Sequence, residues 1–193
     1  MKKILFLLFA GFCCMIYTAN AQNAEFGIKG GLNVAGLHTT SDINLGSRAS
    51  VYVGGFAHIH LNKKFAIQPE LLYSCQGATQ DYQNGSATWR LNYINLPILL
   101  QYMFDNGFRL ETGPQLGLLA SAKLKSGGTI TNRKDDFTNG DFSWAFGVSY
   151  LTHSGFGVDA RYNLGISNIN NTGSTEKLQN RVFQAGIFYQ FGH

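Results

Sequence analysis

The sequence predicts an all-β fold, an eight-stranded antiparallel up-and-down transmembrane β-barrel of the small outer-membrane type. Three observations support this prediction. Apolar and polar residues alternate in eight separate segments, short and long connections follow one another in turn, and the polar faces of the segments carry few charges. Alternation with a period of two indicates strands with two different faces, and an even number of strands with such connections is typical of small membrane barrels.

Each predicted strand is defined by its two faces. In the third strand, for example, Leu71 and Tyr73 lie on one face and Glu70 lies on the other. The predicted strands are 25–34, 51–61, 65–76, 89–104, 108–124, 141–151, 156–167 and 181–191. Pro69 predicts a bulge in the third strand, because proline is disfavoured in the middle of a sheet.

The connections between the strands alternate in length. The short turns are 62–64, 105–107 and 152–155, and the longer polar loops are 38–49, 77–88, 125–140 and 169–179. Asn106-Gly107 is a strong hairpin signal, because these residues accept the positive φ angles of tight hairpin turns. With an even strand count, both chain ends lie at the short-turn end, which is periplasmic in barrels of this class.

The beginning of the chain has the pattern of a cleaved signal peptide. Lys2 and Lys3 form a basic region, an apolar stretch follows, and residues 19–21 match the Ala-x-Ala cleavage site. A stretch this short followed by small residues is typical of export signals and not of a spanning helix. We therefore predict a signal peptide at 1–21 and one barrel domain at 22–193.

The composition of the remaining chain excludes several classes of protein. Removing the signal leaves 172 residues with a net charge of +2 and scattered charges, so no nucleic-acid partner is predicted. Cys75 is the one cysteine outside the signal, which excludes a disulfide framework. No apolar run after residue 21 reaches the 18 residues of a membrane helix, so any span must consist of strands.

The polar faces suit a narrow barrel interior. They are rich in Gly, Ser, Asn and Gln, and the few charges near the middle of strands are three cations and three anions. These residues are Lys29, Glu70, Arg109, Glu111, Asp159 and Arg161. Because a buried charge needs an opposite charge and hydrogen-bond partners, we predict that they form a paired interior network. Eight strands leave space only for side chains, so a pore is not predicted.

The apolar faces are typical of surfaces that contact lipid. Phe and Tyr residues concentrate towards the strand ends, as in Phe65 and Tyr73 or Phe142 and Tyr150. This distribution matches the aromatic girdles of outer-membrane barrels, and a closed barrel leaves no strand edge unpaired in lipid. We therefore predict a monomer in the outer membrane, with outer-membrane lipid as its surroundings.

The last predicted strand contains a motif of its own. Its elements are Gln184, Gly186, Tyr189 and Phe191. The motif resembles the C-terminal assembly signal of bacterial outer-membrane barrels, which implies contact with the barrel-assembly machinery during insertion. Gly192-His193 departs from it by extending the chain beyond the terminal Phe. The strand is predicted to close the barrel against 25–34.

Two neighbouring histidines are candidate metal ligands. His58 and His60 share one strand face, and Glu70 on the next strand adds a carboxylate. These are donor types that bind zinc. Interior polar filling is the stronger interpretation, so no metal or other cofactor is predicted.

The loops contain the other candidate groups. His38 lies in the first loop with Ser41 and Asp42, which are the residue types of a small lipid-modifying site, but their spacing enforces no nucleophile–base geometry. We therefore predict no enzymatic activity. The longest loop has charged residues suited to contact a partner: Arg133, Lys134, Asp135 and Asp136.

Several short motifs occur in a specific order along the chain. They are Gly-Gly-Leu-Asn at 30–33, Gln-Pro-Glu-Leu-Leu-Tyr-Ser at 68–74, Leu-Pro at 96–97, Gly-Pro-Gln-Leu-Gly at 113–117 and Arg-Tyr-Asn-Leu-Gly-Ile at 161–166. Together they resemble the PorT-like outer-membrane β-barrel family of Bacteroidetes. The resemblance implies a non-porin structural or interaction role, with an envelope or secretion protein as partner. The alternative is a small-barrel enzyme that modifies lipid, and a shared fold does not decide between them.

Overall fold

The computed structural model describes residues 24–39, 46–82, 85–173 and 175–192, and within them the chain is almost entirely strand. The strands are β1 (Ala24–Thr39), β2 (Gly46–His60), β3 (Phe65–Tyr82), β4 (Gly85–Met103), β5 (Phe108–Ser126), β6 (Thr129–Asn132), β7 (Gly140–Leu151), β8 (Phe156–Gly165) and β9 (Leu178–Gln190). A 3-10 turn, Lys134–Asp136, lies between β6 and β7. No helix within these ranges is long and apolar enough to cross a membrane. The predicted signal peptide lies outside them.

Eight of the nine strands close into a ring in which every strand is antiparallel to both neighbours. The order around the ring is β1-β2-β3-β4-β5-β7-β8-β9, and β9 returns to β1. The closing pairs run from Gly27 opposite Gln190 to Thr39 opposite Leu178. The predicted eight-stranded antiparallel barrel is confirmed, and its last strand pairs with the first as predicted. The short strand β6 is an addition that pairs with the end of β5.

At the loop end of the barrel, the strands continue beyond the segments in which apolar and polar residues alternate. β3 runs to Tyr82 and β4 begins at Gly85, so most of the predicted loop 77–88 is a paired hairpin. β1 and β2 likewise reach into 38–49, and β6 lies within 125–140. The prediction of polar loops is wrong at these positions, because polar residues pair through their backbones without the apolar alternation that signals a membrane strand.

A bulge in β5 changes which side chains point inward. The register of β5 against β4 shifts between Leu119 and Ser121, so that Ala120 is an extra residue. Past the bulge, Ala122 is buried and Lys123 is exposed. Unbroken alternation over the predicted strand 108–124 would place Ser121 and Lys123 on the interior face with Arg109 and Glu111. This prediction is wrong, because one inserted residue reverses the alternation of a strand.

In contrast to β5, the described part of β3 has no bulge at Pro69, where the sequence predicts one. The register with β2 is the same on both sides of the proline, with Phe56 opposite Glu70 and Ile59 opposite Ile67. Pairing is interrupted between these two points, but no residue is inserted. The proline removes a ladder hydrogen bond because it has no N–H, and the strand continues in register.

The outward face of the ring is apolar over a band of limited height. Ile28, Leu32, Val53 and Ile187 are each more than half exposed, at 58–65%. Outward apolar side chains extend from Phe104, just after the end of β4, back along the strand to Ile94 and then give way to polar ones. Ten residues in a strand tilted by about 40° rise roughly 25 Å, which is the height of the apolar band of outer-membrane barrels.

Candidate functional site: the interior and the outer mouth

A cluster of ion pairs fills the half of the barrel nearest the short turns. Arg161 on β8 is at its centre, with its side chain only 1% exposed. The guanidinium donates two hydrogen bonds of 2.8 Å to the Glu70 carboxylate and bonds of 2.8 and 3.0 Å to Glu111. Gln68 donates to Glu70 at 2.8 Å and Gln101 donates to Glu111 at 2.9 Å. Such charge-assisted and bidentate bonds are the strongest class of hydrogen bond in proteins.

Lys29 on β1 extends the cluster across the barrel. Its Nζ lies 3.3 Å from Glu70 Oε1 and 3.2 Å from Asp159 Oδ2. The Tyr52 hydroxyl donates to Asp159 and lies 3.3 Å from each of its carboxylate oxygens. Every carboxylate of the cluster therefore has more than one partner, which is what a buried charge requires.

Arg109 lies beside this cluster and not within it. It is on the same face of β5 as Glu111 and donates to Gln190 at 3.1 Å, and Gln190 donates to Glu25. The structure thus buries all six charged residues predicted for the interior, each with at most 6% of its surface exposed. It joins five of them through direct ion pairs.

Two phenylalanines pack next to the ion cluster at the short-turn end. The rings of Phe56 and Phe188 meet edge to face with their centroids 5.8 Å apart. A Cβ atom on Gly27 would lie 2.2 Å from the Phe56 ring, and one on Gly157 would lie 2.1 Å from the Phe188 ring. Glycine is therefore required at both positions because the rings occupy the space of a side chain.

Side-chain amides form the next layer towards the loop end. Gln184 donates to Asn33 at 2.8 Å and accepts from Asn163 at 2.8 Å, and Asn33 donates to Ser74 at 3.0 Å. These side chains come from β9, β1, β8 and β3, so the chain of bonds crosses the closing seam of the barrel. The amides fill the interior with hydrogen-bonded polar groups and no net charge.

The residues of the predicted assembly motif lie along β9 and directly after its end, in different surroundings. Gln184 is buried in the amide layer, whereas Phe191 is 49% exposed on the outer face. A Cβ atom on Gly186 would lie 2.3 Å from the Tyr52 hydroxyl. The ring of Tyr189 packs against Phe191 with centroids 5.2 Å apart. Their role in insertion remains a prediction.

An apolar cap occupies the interior at the loop end. Its buried residues are Leu37, Ala78, Leu91, Tyr93, Leu119, Ala122, Phe137 and Ile169. Phe137 and Ile169 come from the loops before β7 and before β9, which fold inward together: the Thr138 N–H donates to the Ile169 carbonyl at 2.9 Å. The Phe137 ring also packs on Trp89 with centroids 5.6 Å apart. The apolar–polar alternation of the strands does not predict this cap. Phe137 and Ile169, two large apolar residues within polar loops, are the sequence feature that indicates it.

A cavity of about 240 Å³ remains at this outer mouth. Its apolar walls are Leu37, Trp89, Phe137 and Leu178, and its rim includes Asp136 and Glu176. It is smaller than the pockets of about 300–1,000 Å³ that hold most small ligands. The cap therefore narrows the mouth of the barrel instead of opening it.

Replacing Ile169 with serine is expected to release the capping loops. The side chain is fully buried, so the change removes apolar contacts and buries a hydroxyl. We expect limited proteolysis of the folded barrel to cut this end faster. The matched control is Ile130→Ser, because Ile130 is 54% exposed and its replacement leaves the cap intact. Equal rates of cleavage in the two variants would contradict the role of Ile169 in holding the capping loops.

The two neighbouring histidines are not arranged as metal ligands. Their rings meet edge to face at 4.6 Å, and His58 Nδ1 lies 3.4 Å from Gln68 Oε1. Glu70, the carboxylate expected to join them, is bound by Arg161 and Lys29 instead. In the part of the chain that the structure describes, no group of three or more His, Cys, Asp and Glu residues could hold a metal ion.

The candidate groups of the loops are also separated. His38 is exposed at the end of β1, opposite Gln179 of β9, while Ser41 and Asp42 lie outside the described residues. In the longest loop, Arg133 and Asp136 form a solvent-exposed ion pair of 3.6 Å. This geometry brings no nucleophile and base together among the described residues of the two loops.

Comparison with known proteins identifies the family. The family described as "Outer membrane protein beta-barrel domain" matches residues 20–171. The chain belongs to this family. Its location in the outer membrane is thereby confirmed, whereas the narrower resemblance to PorT-like barrels stays a prediction.

Solved structures of outer-membrane barrels share the fold. Ail, the attachment invasion locus protein of Yersinia pestis, is 15% identical with a TM-score of 0.54, and 88% of this chain covers all of Ail. Neisserial surface protein A is 17% identical with a TM-score of 0.63 and the same coverage. OprG of Pseudomonas aeruginosa is 10% identical with a TM-score of 0.50, covering 89% of this chain and 97% of OprG. No curated protein sequence matches the chain.

Proposed function

We propose that this outer-membrane barrel has a structural or interaction role in the cell envelope and is neither a porin nor an enzyme. The observation that carries the proposal is the filled interior. An aromatic pair, an ion cluster, an amide layer and an apolar cap follow one another from the short turns to the loops. An eight-stranded barrel with such an interior has no space for a water channel, so its function resides on its outer surfaces.

The partner is an envelope or secretion protein that contacts the loops or the periplasmic turns. The resemblance to PorT-like barrels supports the secretion-associated part of this proposal. The charged loop residues Arg133, Lys134 and Asp135 are accessible for such contact. A monomer is proposed because the ring uses all of its strand edges internally.

The first expected result is the absence of ion conduction. The purified protein inserted into planar lipid bilayers should show no steady single-channel current, while a porin inserted in the same way conducts. The ion cluster and the cap obstruct the interior at different heights, so removing the cap alone by Ile169→Ser should not create a current. A steady current from the unaltered chain would overturn the non-porin proposal.

The interaction role is tested by cross-linking in intact cells. A photoactivatable residue at Asp135 examines the loop end, and one at Asn106 examines the turn end. We expect an adduct of defined mass from one of these ends. A barrel that functions yet gives no adduct from either end would contradict the interaction role.

Substitution of the histidines tests whether the barrel is an enzyme. A lipid-modifying site needs a nucleophile and a base within hydrogen-bond reach. Alanine at His38, His58 and His60 together is therefore expected to leave the function of the barrel in cells unchanged. Loss of that function from a variant that still inserts normally would favour the enzyme instead.

A further inference from the structure

Three cations lie together on the outward face at the loop end of β4 and β5. Arg90 on β4 is directly opposite Lys123 on β5, and Lys125 is the partner of Thr88. The bulge at Ala120 is what turns the two lysines outward, beside Arg90. Like charges directly opposite one another on neighbouring strands repel, so this arrangement costs free energy unless an anion is present.

Among the side chains that the structure describes, no carboxylate pairs with these cations. None of its ion pairs includes Arg90, Lys123 or Lys125. The Nε of Arg90 is buried without a hydrogen-bond partner. Lys134 adds a fourth cation nearby, because its Nζ donates to the backbone oxygen of Ala120 at 3.2 Å.

Two of these cations, Arg90 and Lys125, line a cleft of about 600 Å³, and Lys123 is paired with Arg90 at its edge. The cleft is lined by Arg90, Lys125, the hydroxyl-bearing residues Ser86, Thr88 and Ser126, and the glycines Gly85, Gly127 and Gly128. None of these lining residues is acidic. Gly127 and Gly128 have φ angles of 53° and 87° in the β5–β6 turn, and a Cβ atom on either would have no neighbouring atom within 4 Å. Cations and hydroxyl groups beside an open glycine turn are together a chemistry that binds phosphate.

The position of the cleft relative to the apolar band indicates which kind of phosphate group binds there. On β4 the outward apolar side chains end at Ile94 on the loop side, and Arg90 lies four residues before Ile94 in the sequence, closer to the loops. At the tilt of a barrel strand this places Arg90 about 10 Å beyond the apolar band, at the level of lipid headgroups. The long-loop end of such barrels faces the outer leaflet.

We propose that this basic cleft binds the phosphorylated sugar headgroup of an outer-leaflet glycolipid. Arg90, Lys123 and Lys125 bind the phosphate, and the larger part of the cleft, with its hydroxyl and backbone groups, accommodates the sugar. This inference goes beyond the interaction role proposed above and does not depend on it. Its failure would leave the conductance and cross-linking tests unaffected.

The test compares binding of bisphosphorylated lipid A with binding of chemically dephosphorylated lipid A. The full protein in detergent micelles is titrated with each lipid, and bound lipid is counted by native mass spectrometry. We expect the phosphorylated lipid to bind at least about tenfold more tightly, and R90Q/K123Q/K125Q to remove that preference. The matched control is K63Q/K64Q, which removes two exposed lysines from the opposite end and should bind like the unaltered chain.

Four results would overturn the proposal. They are equal binding of the two lipids, retained preference in R90Q/K123Q/K125Q, displacement by inorganic phosphate at the lipid's own concentration, and preference for a sulfated polysaccharide over the lipid. Gel mobility of heated and unheated samples shows whether the triple variant folds. If it does not fold, K125Q alone serves as the test, because Lys125 is exposed at the end of β5 and should lose part of the preference.

Discussion

Replacing Arg161 with methionine is expected to lower the free energy of unfolding of the barrel by about 3–5 kcal/mol. The guanidinium is the shared partner of Glu70 and Glu111, at 2.8 Å from each. Its loss leaves two buried carboxylates with fewer opposite charges and hydrogen-bond donors. Urea unfolding from lipid vesicles, followed by tryptophan fluorescence and by gel mobility of unheated samples, measures the effect.

Two further variants test whether the loss of stability comes from the buried charges. Arg133→Met removes an exposed ion pair with Asp136 and should change stability by less than about 0.5 kcal/mol. R161M/E70Q/E111Q should recover part of the loss, because it also neutralises the unpaired carboxylates. A loss for Arg161→Met as small as that for Arg133→Met would contradict the ion cluster.

Replacing Gly157 with alanine is expected to lower the free energy of unfolding by about 1–3 kcal/mol. The added methyl would lie 2.1 Å from Cζ of Phe188, and that ring is held in place against Phe56. The ring must therefore move within a narrow interior that has little space to receive it. The same urea unfolding experiment measures this change.

Gly36 provides the matched control because it also lies within a strand of the ring. The nearest atom to a Cβ there is Ser47 Oγ at 3.7 Å, so Gly36→Ala should be neutral or slightly stabilising. Shortening the obstructing side chain in G157A/F188L should restore part of the lost stability. Equal stability of Gly157→Ala and Gly36→Ala would contradict the packing of the Phe188 ring.

The membrane-spanning part of the fold is predictable because its physical requirements repeat along each strand. Lipid on one side and a polar interior on the other impose an alternation that shows in residues such as Ile28, Lys29 and Leu32. The interior location of Glu70 and Arg161 follows from the same alternation. Their separation by 91 positions means that the sequence pattern predicts a charged interior but no particular partner.

The loop end is less predictable because the alternation ceases where the strands leave the lipid. The hairpin of β3 and β4 beyond the membrane is held by backbone pairing, which residues such as Thr79 and Thr88 accept without an apolar face. The inward folding of Phe137 and Ile169 depends on contacts between loops far apart in sequence. The bulge at Ala120 is invisible to alternation because one extra residue follows no repeated pattern.

The sequence alone therefore determined the class of the protein: an eight-stranded outer-membrane barrel with an apolar exterior and a charge-balanced interior. It could do so because two solvents, lipid and a confined polar interior, act on alternate residues of every spanning strand. Only the tertiary structure decided that Arg161 joins Glu70 to Glu111, that two loops cap the mouth, and that a bulge turns Lys123 outward beside Arg90. Each of these depends on the register between strands, which a single strand's pattern does not contain.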